Sequence, residues 1–292
     1  MRSKEKFAVS SSQSAEDVRP ALLPTANCKP PAAPLIIGHR GAAAVAPENT
    51  LLSFKRAISD GADGIEFDVR LARDSVPVVI HDSTLRRTAR RDGRVGDSSS
   101  SVLAGTDVGT WFNLRFPRLA RAEYASATVP TLADVFKLFA GTDVRLYVEL
   151  KCEARDRAPL VAAVSKLIRS HSAMDQVVVE SFDLAAITEI RRIEPMIRTA
   201  ALFDRKLSRP IRSIRSMITR ALRAGASEVA LHRTLASAAA VEAAMRQNLR
   251  TVVWTADSPA WVDRAIKRRI DAIITNNPEH LCARRAELLA RG

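Results

Sequence analysis

Residues 35–58 read LIIGHRGAAAVAPENTLLSFKRAI: a short apolar run, a polar loop between glycines, and an amphipathic segment. Leu35-Ile36-Ile37 has the length and branching of a buried strand, and it stops at Gly38-His39-Arg40-Gly41. Pro47 stands where a helix's first turn tolerates a missing N–H, and Pro47-Glu48-Asn49-Thr50 opens an apolar period that runs through Ile58. The stretch is one strand, one loop and one helix.

The same unit recurs. Strand-like runs fall at 64–69, 144–150, 176–181, 197–203, 228–232, 251–255 and 270–274, with helical patterns near 131–140, 158–171, 184–194, 207–224, 235–248, 258–268 and 278–290. With the first unit this makes eight strands and eight helices. The alternation predicts an α/β fold with a parallel sheet, and eight units within about 260 residues is the size of a closed (β/α)8 barrel, or TIM barrel. An open doubly wound sheet is the alternative.

One run breaks the alternation. Val76-Pro77-Val78-Val79-Ile80 follows the 64–69 strand after only Leu71-Ala72-Arg73-Asp74-Ser75, whereas a parallel crossover needs about a dozen residues. It is therefore expected to return antiparallel, as a hairpin arm that brings His81 back to the barrel mouth. Residues 83–130 are too long for an ordinary loop and lack a strong period, which predicts an insertion covering the active face. Residues 1–33, rich in Ser, Pro, Ala and charge, are expected to form a flexible extension before one domain over 34–292.

A net charge of +13 gives the surface a field that attracts anions: nucleic acid, acidic membrane or phosphorylated small molecules. With two tyrosines, no interleaving of aromatic and basic residues, and no helix-turn-helix or zinc-finger pattern, nucleic acid is not an expected partner. No stretch approaches the roughly 18 to 20 apolar residues that span a bilayer, and the first thirty residues hold no continuous apolar signal core, so the default location is the cytoplasm. Cys28, Cys152 and Cys282 are odd in number and far apart, and are expected to be free thiols.

Catalytic groups of a (β/α)8 barrel sit at the C-terminal ends of its strands. Here those ends carry one set of polar residues. The first strand ends in His39-Arg40; the second carries Glu66 and Asp68 on one face; the hairpin returns His81-Asp82; the next strand carries Glu149 and Lys151 on one face. Glu66, Asp68 and Glu149 lie inside otherwise apolar runs, GIEFDV and LYVELK, where unpaired charge would cost several kcal/mol. A cation resolves that conflict, and all-oxygen ligands point to Mg2+ or Ca2+ over tetrahedral zinc. His39 and His81 titrate near neutrality and suit an acid and a base across a P–O bond. Arg40 and Lys151 suit the non-bridging phosphate oxygens, one as a fork and the other as a point charge.

HRG followed by PENT, then EFD, then VIHD, then VELK is similar in order and spacing to the glycerophosphodiester phosphodiesterase family, and the likeness runs from about Ile36 to the end. Ser181-Phe182, VVWTAD at 252–257 and IDAIITNNP at 270–278 continue it. The resemblance implies a barrel of the phospholipase C-like (PLC-like) phosphodiesterase type that converts glycerophosphodiesters to glycerol 3-phosphate and an alcohol. It implies His39 and His81 as the acid/base pair and Glu66, Asp68 and Glu149 as ligands of a divalent cation. It further implies Arg40 and Lys151 at phosphate, Trp254 beside the glycerol, and Glu48 and Asn49 ordering the first loop and helix. Two positions depart from the family's pattern: Asn276 stands where an acidic residue is frequent after the final IIT, and Asp257 where Asn is frequent in the WTV segment. Neither is expected to touch the core set.

Two other readings compete. Arg86, Arg87, Arg90, Arg91 and Arg94, with Arg115, Arg118 and Arg121 beside Trp111-Phe112, make a solvated basic loop or a rim for peripheral contact with anionic membrane. The second case fits a lysophospholipase D or sphingomyelinase D-like enzyme. A non-catalytic anion-binding protein is the remaining alternative.

Overall fold

The computed structural model describes residues 33–205 and 213–291. Nearly all of the expected extension lies outside them, as do Cys28 and the 207–212 end of the expected 207–224 helix. Among these residues nine strands form one sheet: β1 (Leu35–His39), β2 (Gly64–Leu71), β3 (Pro77–Val79), β4 (Arg145–Leu150), β5 (Val177–Ser181), β6 (Arg198–Phe203), β7 (Glu228–His232), β8 (Arg250–Trp254) and β9 (Ala272–Thr275). β1 pairs in parallel with both β2 and β9, and β2, β4, β5, β6, β7, β8 and β9 pair in parallel in that order. The eight parallel strands thus close on themselves, and the open-sheet alternative falls. β3 lies antiparallel on β2, with Val69 opposite Val79, as the short connection requires.

Helices α1 (Leu51–Ser59), α2 (Ser100–Ala104), α3 (Thr110–Arg115), α4 (Leu132–Leu138), α5 (Arg157–Ser170), α6 (Leu184–Ile193), α7 (Ile214–Arg223), α8 (Ala238–Met245), α9 (Ala260–Arg268) and α10 (Pro278–Leu289) follow in chain order. α2 and α3 belong to the 83–130 insertion and, at five and six residues, are too short to print a period on the sequence. The insertion has its own apolar cluster, in which Leu85, Val95, Leu103 and Val108 pack under Val78 and Ile80 of the arm. The helices start on local chemistry: Thr50 accepts from Ser53 N–H ahead of α1, and Thr131 and Asp134 form a reciprocal capping box on α4.

Strand alternation sorts the side chains. Ile65, Phe67, Val69, Leu146, Val148, Val177 and Val179 face the surrounding helices, while Tyr147 and Val178 join Ile37, Ala200, Ala230 and Val252 inside the barrel. Toward the C-terminal end the interior turns polar. Asp68, Glu149 and Glu180 sit side by side in register on β2, β4 and β5. Lower down, Tyr147 donates to Glu228 Oε2 at 3.0 Å, a buried contact that closes the floor. Cys152 and Cys282 are free, and no helix among the described residues is long and apolar enough to cross a membrane.

Candidate active site

The first loop is shaped by backbone that doubles back. Gly41 has φ +86°, and a Cβ there would collide with Ser53 of α1. Ser53 Oγ donates to the Arg40 carbonyl at 3.0 Å, and Asn49 N–H donates to the same oxygen at 3.0 Å. This holds Arg40 at the mouth: its N–H donates to Glu66 Oε2 at 3.1 Å, Nη1 donates to Glu48 Oε1 at 2.8 Å, and Nε lies 3.1 Å from Asp68 Oδ2. Asn49 faces inward, donating to Asp68 Oδ2 at 2.8 Å and accepting from Asp68 N–H at 3.2 Å. The PENT segment is thus welded to β2.

A chamber of about 320 Å³ opens at the C-terminal mouth, lined by His39, Arg40, Glu66, His81, Glu149 and Lys151, with Glu180, Phe182, Asp204 and Trp254 also in its wall. Seven of the ten residues singled out in the sequence line this chamber; Asp68 contacts Arg40 and Lys151 in its wall, and Glu48 and Asn49 join the set through Arg40 and Asp68. Trp254 Nε1 donates to the Ala230 carbonyl at 3.1 Å, and Phe182 meets its ring edge-on at 5.4 Å. Lys151 Nζ lies 2.7 Å from Glu149 Oε1 and 3.1 Å from Asp68 Oδ1.

The carboxylates divide into two environments. Burial pushes Asp68 up, but Arg40 and Lys151 outweigh it and hold its carboxyl well below the usual range. Glu66, Glu149 and Glu180 go the other way. Burial, then neighbouring carboxylates, raise Glu66 and Glu180 well above the ordinary value and push Glu149 up to about 7. Oxygens of these three lie within 4.8 Å of one another, all buried, and Glu180 Oε2 has no hydrogen-bond partner. A hard divalent cation fits this donor set: it would partner the orphaned oxygen and relieve the repulsion that raises all three. Glu180 was not singled out in the sequence, although VVVES places it inside an apolar strand just as GIEFDV and VELK place their carboxylates.

The histidines differ in their partners. His39 Nδ1 lies 2.7 Å from Asn276 Oδ1, and Nε2 points to Glu66 Oε2 at 3.8 Å. Burial and then the adjacent Arg40 push His39 down to about 4, leaving it neutral at pH 7. His81 Nδ1 lies 2.6 Å from Asp82 Oδ1; burial lowers this imidazole too, opposed by Asp68 and by Asp82. The expectation that neither departure touches the core set is corrected for Asn276, which contacts His39 directly. Asp257 holds Asn276 in turn, accepting from its N–H at 2.8 Å and from its Nδ2 at 3.0 Å. Amide and acid form one hydrogen-bonded pair, so the two departures are a single exchange, invisible in a linear reading because the positions are 19 residues apart.

A second chamber, of about 630 Å³, shares His39 and Arg40 with the first and runs outward beneath the insertion. Arg87 fixes that cover: Nε donates to Asp82 Oδ2 at 2.7 Å, and Nη1 and Nη2 donate to Glu48 at 2.7 and 2.8 Å.

Residues 39–280 match the model of the glycerophosphoryl diester phosphodiesterase family. The chain is 31% identical over 247 residues to a glycerophosphodiester phosphodiesterase of Caldanaerobacter subterraneus, covering 85% of this chain and 96% of that one. Among solved structures it is similar to the glycerophosphodiester phosphodiesterase of Agrobacterium tumefaciens, with 30% identity and a TM-score of 0.69 over 86% of this chain and 99% of that one. The fold is also that of a phosphodiesterase from Oleispira antarctica solved with its product sn-glycerol-3-phosphate, at 23% identity and a TM-score of 0.76, over 86% and 96%. A family match spanning first loop to last helix, on a barrel of the same closure, makes this chain a member of the glycerophosphoryl diester phosphodiesterase family.

Proposed function

We propose that the chain hydrolyses glycerophosphodiesters to sn-glycerol 3-phosphate and an alcohol, with His39 and His81 as the acid/base pair. The observation that carries this reading is the single chamber lined by both imidazoles, two cations and three buried glutamates. Glu66, Asp68 and Glu149, joined by Glu180, would hold a divalent cation, Mg2+ or Ca2+, which when bound supplies neutralisation of phosphate charge. Arg40 and Lys151 hold the non-bridging oxygens, since each keeps N–H donors beyond those engaged with carboxylates. His39 presents Nε2 to the chamber because Nδ1 is engaged by Asn276, and His81 is oriented likewise by Asp82. One imidazole takes a proton from the attacking hydroxyl, water or the glycerol 2-hydroxyl, and the other returns one to the departing alkoxide. Trp254 and Phe182 offer an apolar corner to the glycerol carbons.

The location proposed for this activity is the cytoplasm, on water-soluble diesters. The basic insertion supports a second reading, peripheral action on lysophospholipids at an anionic surface. The test is glycerol 3-phosphate release from glycerophosphoglycerol with Mg2+, with Ca2+ and with EDTA, in the wild type and in His39→Ala, His81→Ala and Glu149→Gln. Release that needs a divalent cation and is lost in all three variants is expected. Release that survives loss of either histidine would overturn the assignment, and turnover confined to lysophospholipid micelles would favour the second reading.

A further inference from the structure

A phosphodiester has two arms, and the diesterase reading, on which this inference rests, gives the glycerol arm to the chamber beside Trp254. The larger chamber meets the same reacting centre at His39 and Arg40 and is lined beyond them by Trp111, Leu114, Phe116, Arg90 and Arg115. Its charge is one-sided. The carboxylate in its wall, Glu48, is held by both Arg40 and Arg87, whereas neither Arg90 nor Arg115 has an ion-pair partner among the described residues. Asp107, which Arg90 influences at longer range, already accepts from the Gly109 and Thr110 N–H groups at 2.8 and 2.9 Å.

The aromatic rings sharpen the point. A quaternary ammonium is recognised by the open face of an aromatic ring. Here the Arg87 guanidinium lies over Trp111 at 5.7 Å from its centroid, and that of Arg115 over Phe116 at 5.8 Å. A choline or ethanolamine arm would meet rings already covered by cations, in a wall of like charge. An alcohol bearing its own anionic group would meet two guanidiniums with no carboxylate partner, and Leu114 and the ring edges would cover its carbon skeleton.

We propose that this chamber binds the non-glycerol arm of the substrate and selects, by charge, glycerophosphodiesters whose alcohol carries a second anionic group over those with a cationic head group.

The test compares kcat/KM of the full chain for glycerol 3-phosphate release from glycerophosphoinositol 4-phosphate, glycerophosphoglycerol and glycerophosphocholine. The anionic diester is expected to exceed the choline diester by about tenfold at low salt, because two partly exposed charge contacts favour one and oppose the other. The advantage should shrink at about 0.5 M salt. Arg90→Glu with Arg115→Glu, both at exposed positions and checked for an unchanged thermal transition, should reverse the order. Equal or better turnover of the choline diester by the wild type, or an unaltered ratio in the folded charge-reversed protein, would overturn the proposal. Should the wild type cleave none of the three, the diesterase reading itself falls; neutral turnover without charge preference sinks only this inference.

Discussion

Exchanging the amide and the acid behind His39, by Asn276→Asp together with Asp257→Asn, isolates what the exchanged pair does. Asn276→Asp alone would set two carboxylates 3.0 Å apart, whereas the double exchange keeps an N–H donor opposite an oxygen at each contact. The new carboxylate would lie 2.7 Å from His39 Nδ1. An opposite charge that close raises a basic group by about one to three pH units, each worth about 1.4 kcal/mol. His39, now pushed to about 4 by burial and Arg40, should titrate between about 5 and 7. NMR of the labelled imidazole reads this directly, and one limb of the kcat/KM profile should move up with it. Stability gives an independent reading. Because folded His39 resists protonation relative to its ordinary 6.5, the wild type binds fewer protons folded than unfolded and loses roughly 3 kcal/mol as pH falls from 6.5 to about 4. The exchanged protein should lose less over that window. An imidazole titration that does not move would refute the reasoning, since it would mean that Asn276 does not set the state of His39.

Four further outcomes follow from the same geometry. Cation affinity should climb as pH rises through about 7, because Glu149, together with the raised Glu66 and Glu180, must be free of protons to bind; calorimetry in buffers of differing ionisation enthalpy should count the protons released, and a flat profile would contradict it. Glu180→Gln should weaken cation binding by about tenfold while raising the Tm measured in EDTA, since one of three mutually repelling glutamates is gone; a lowered Tm would argue against the repulsion. Tyr147→Phe should cost about 1 to 3 kcal/mol in denaturant unfolding by leaving Glu228 without its donor, and leave kcat unchanged because the pair lies on the barrel floor. Phe67→Ala should cost about 3 to 5 kcal/mol, as its fully buried ring packs on Phe54 at 5.4 Å; a loss below 1 kcal/mol would mean the site collapses freely.

The barrel was legible because each strand prints an apolar run and each outer helix a period long enough to see. His39, Glu66, Asp68, His81 and Glu149 stood out for one reason: polar groups at the ends of such runs have to be explained. Glu180 meets the same criterion, but VVVES has no second charged residue two positions away to mark its face of the strand, as Asp68 marks that of Glu66 and Lys151 that of Glu149. The role of Asn276 is hidden in the linear sequence because it depends on the closure between β1 and β9, a contact across 237 residues. The two-chamber layout could not be read at all, since its outer wall comes from the six-residue α3, from Phe116 and from Arg87 and Arg90, all in a segment without periodicity.

The arm that delivers His81 lies outside the cylinder of parallel strands, pairing along β2 through Val69, Arg70 and Leu71 and, on its other side, bridging Thr131 through Val78. The eight staves can therefore keep their closure while that arm is lengthened or shortened, but only in even steps. A single-residue insertion between Leu71 and Pro77 would turn every side chain of β3 to the opposite face and carry His81 away from the mouth. Descent from a common barrel can thus remodel the 83–130 cover freely while the few residues before it behave as a counted spacer, intolerant of odd changes in length.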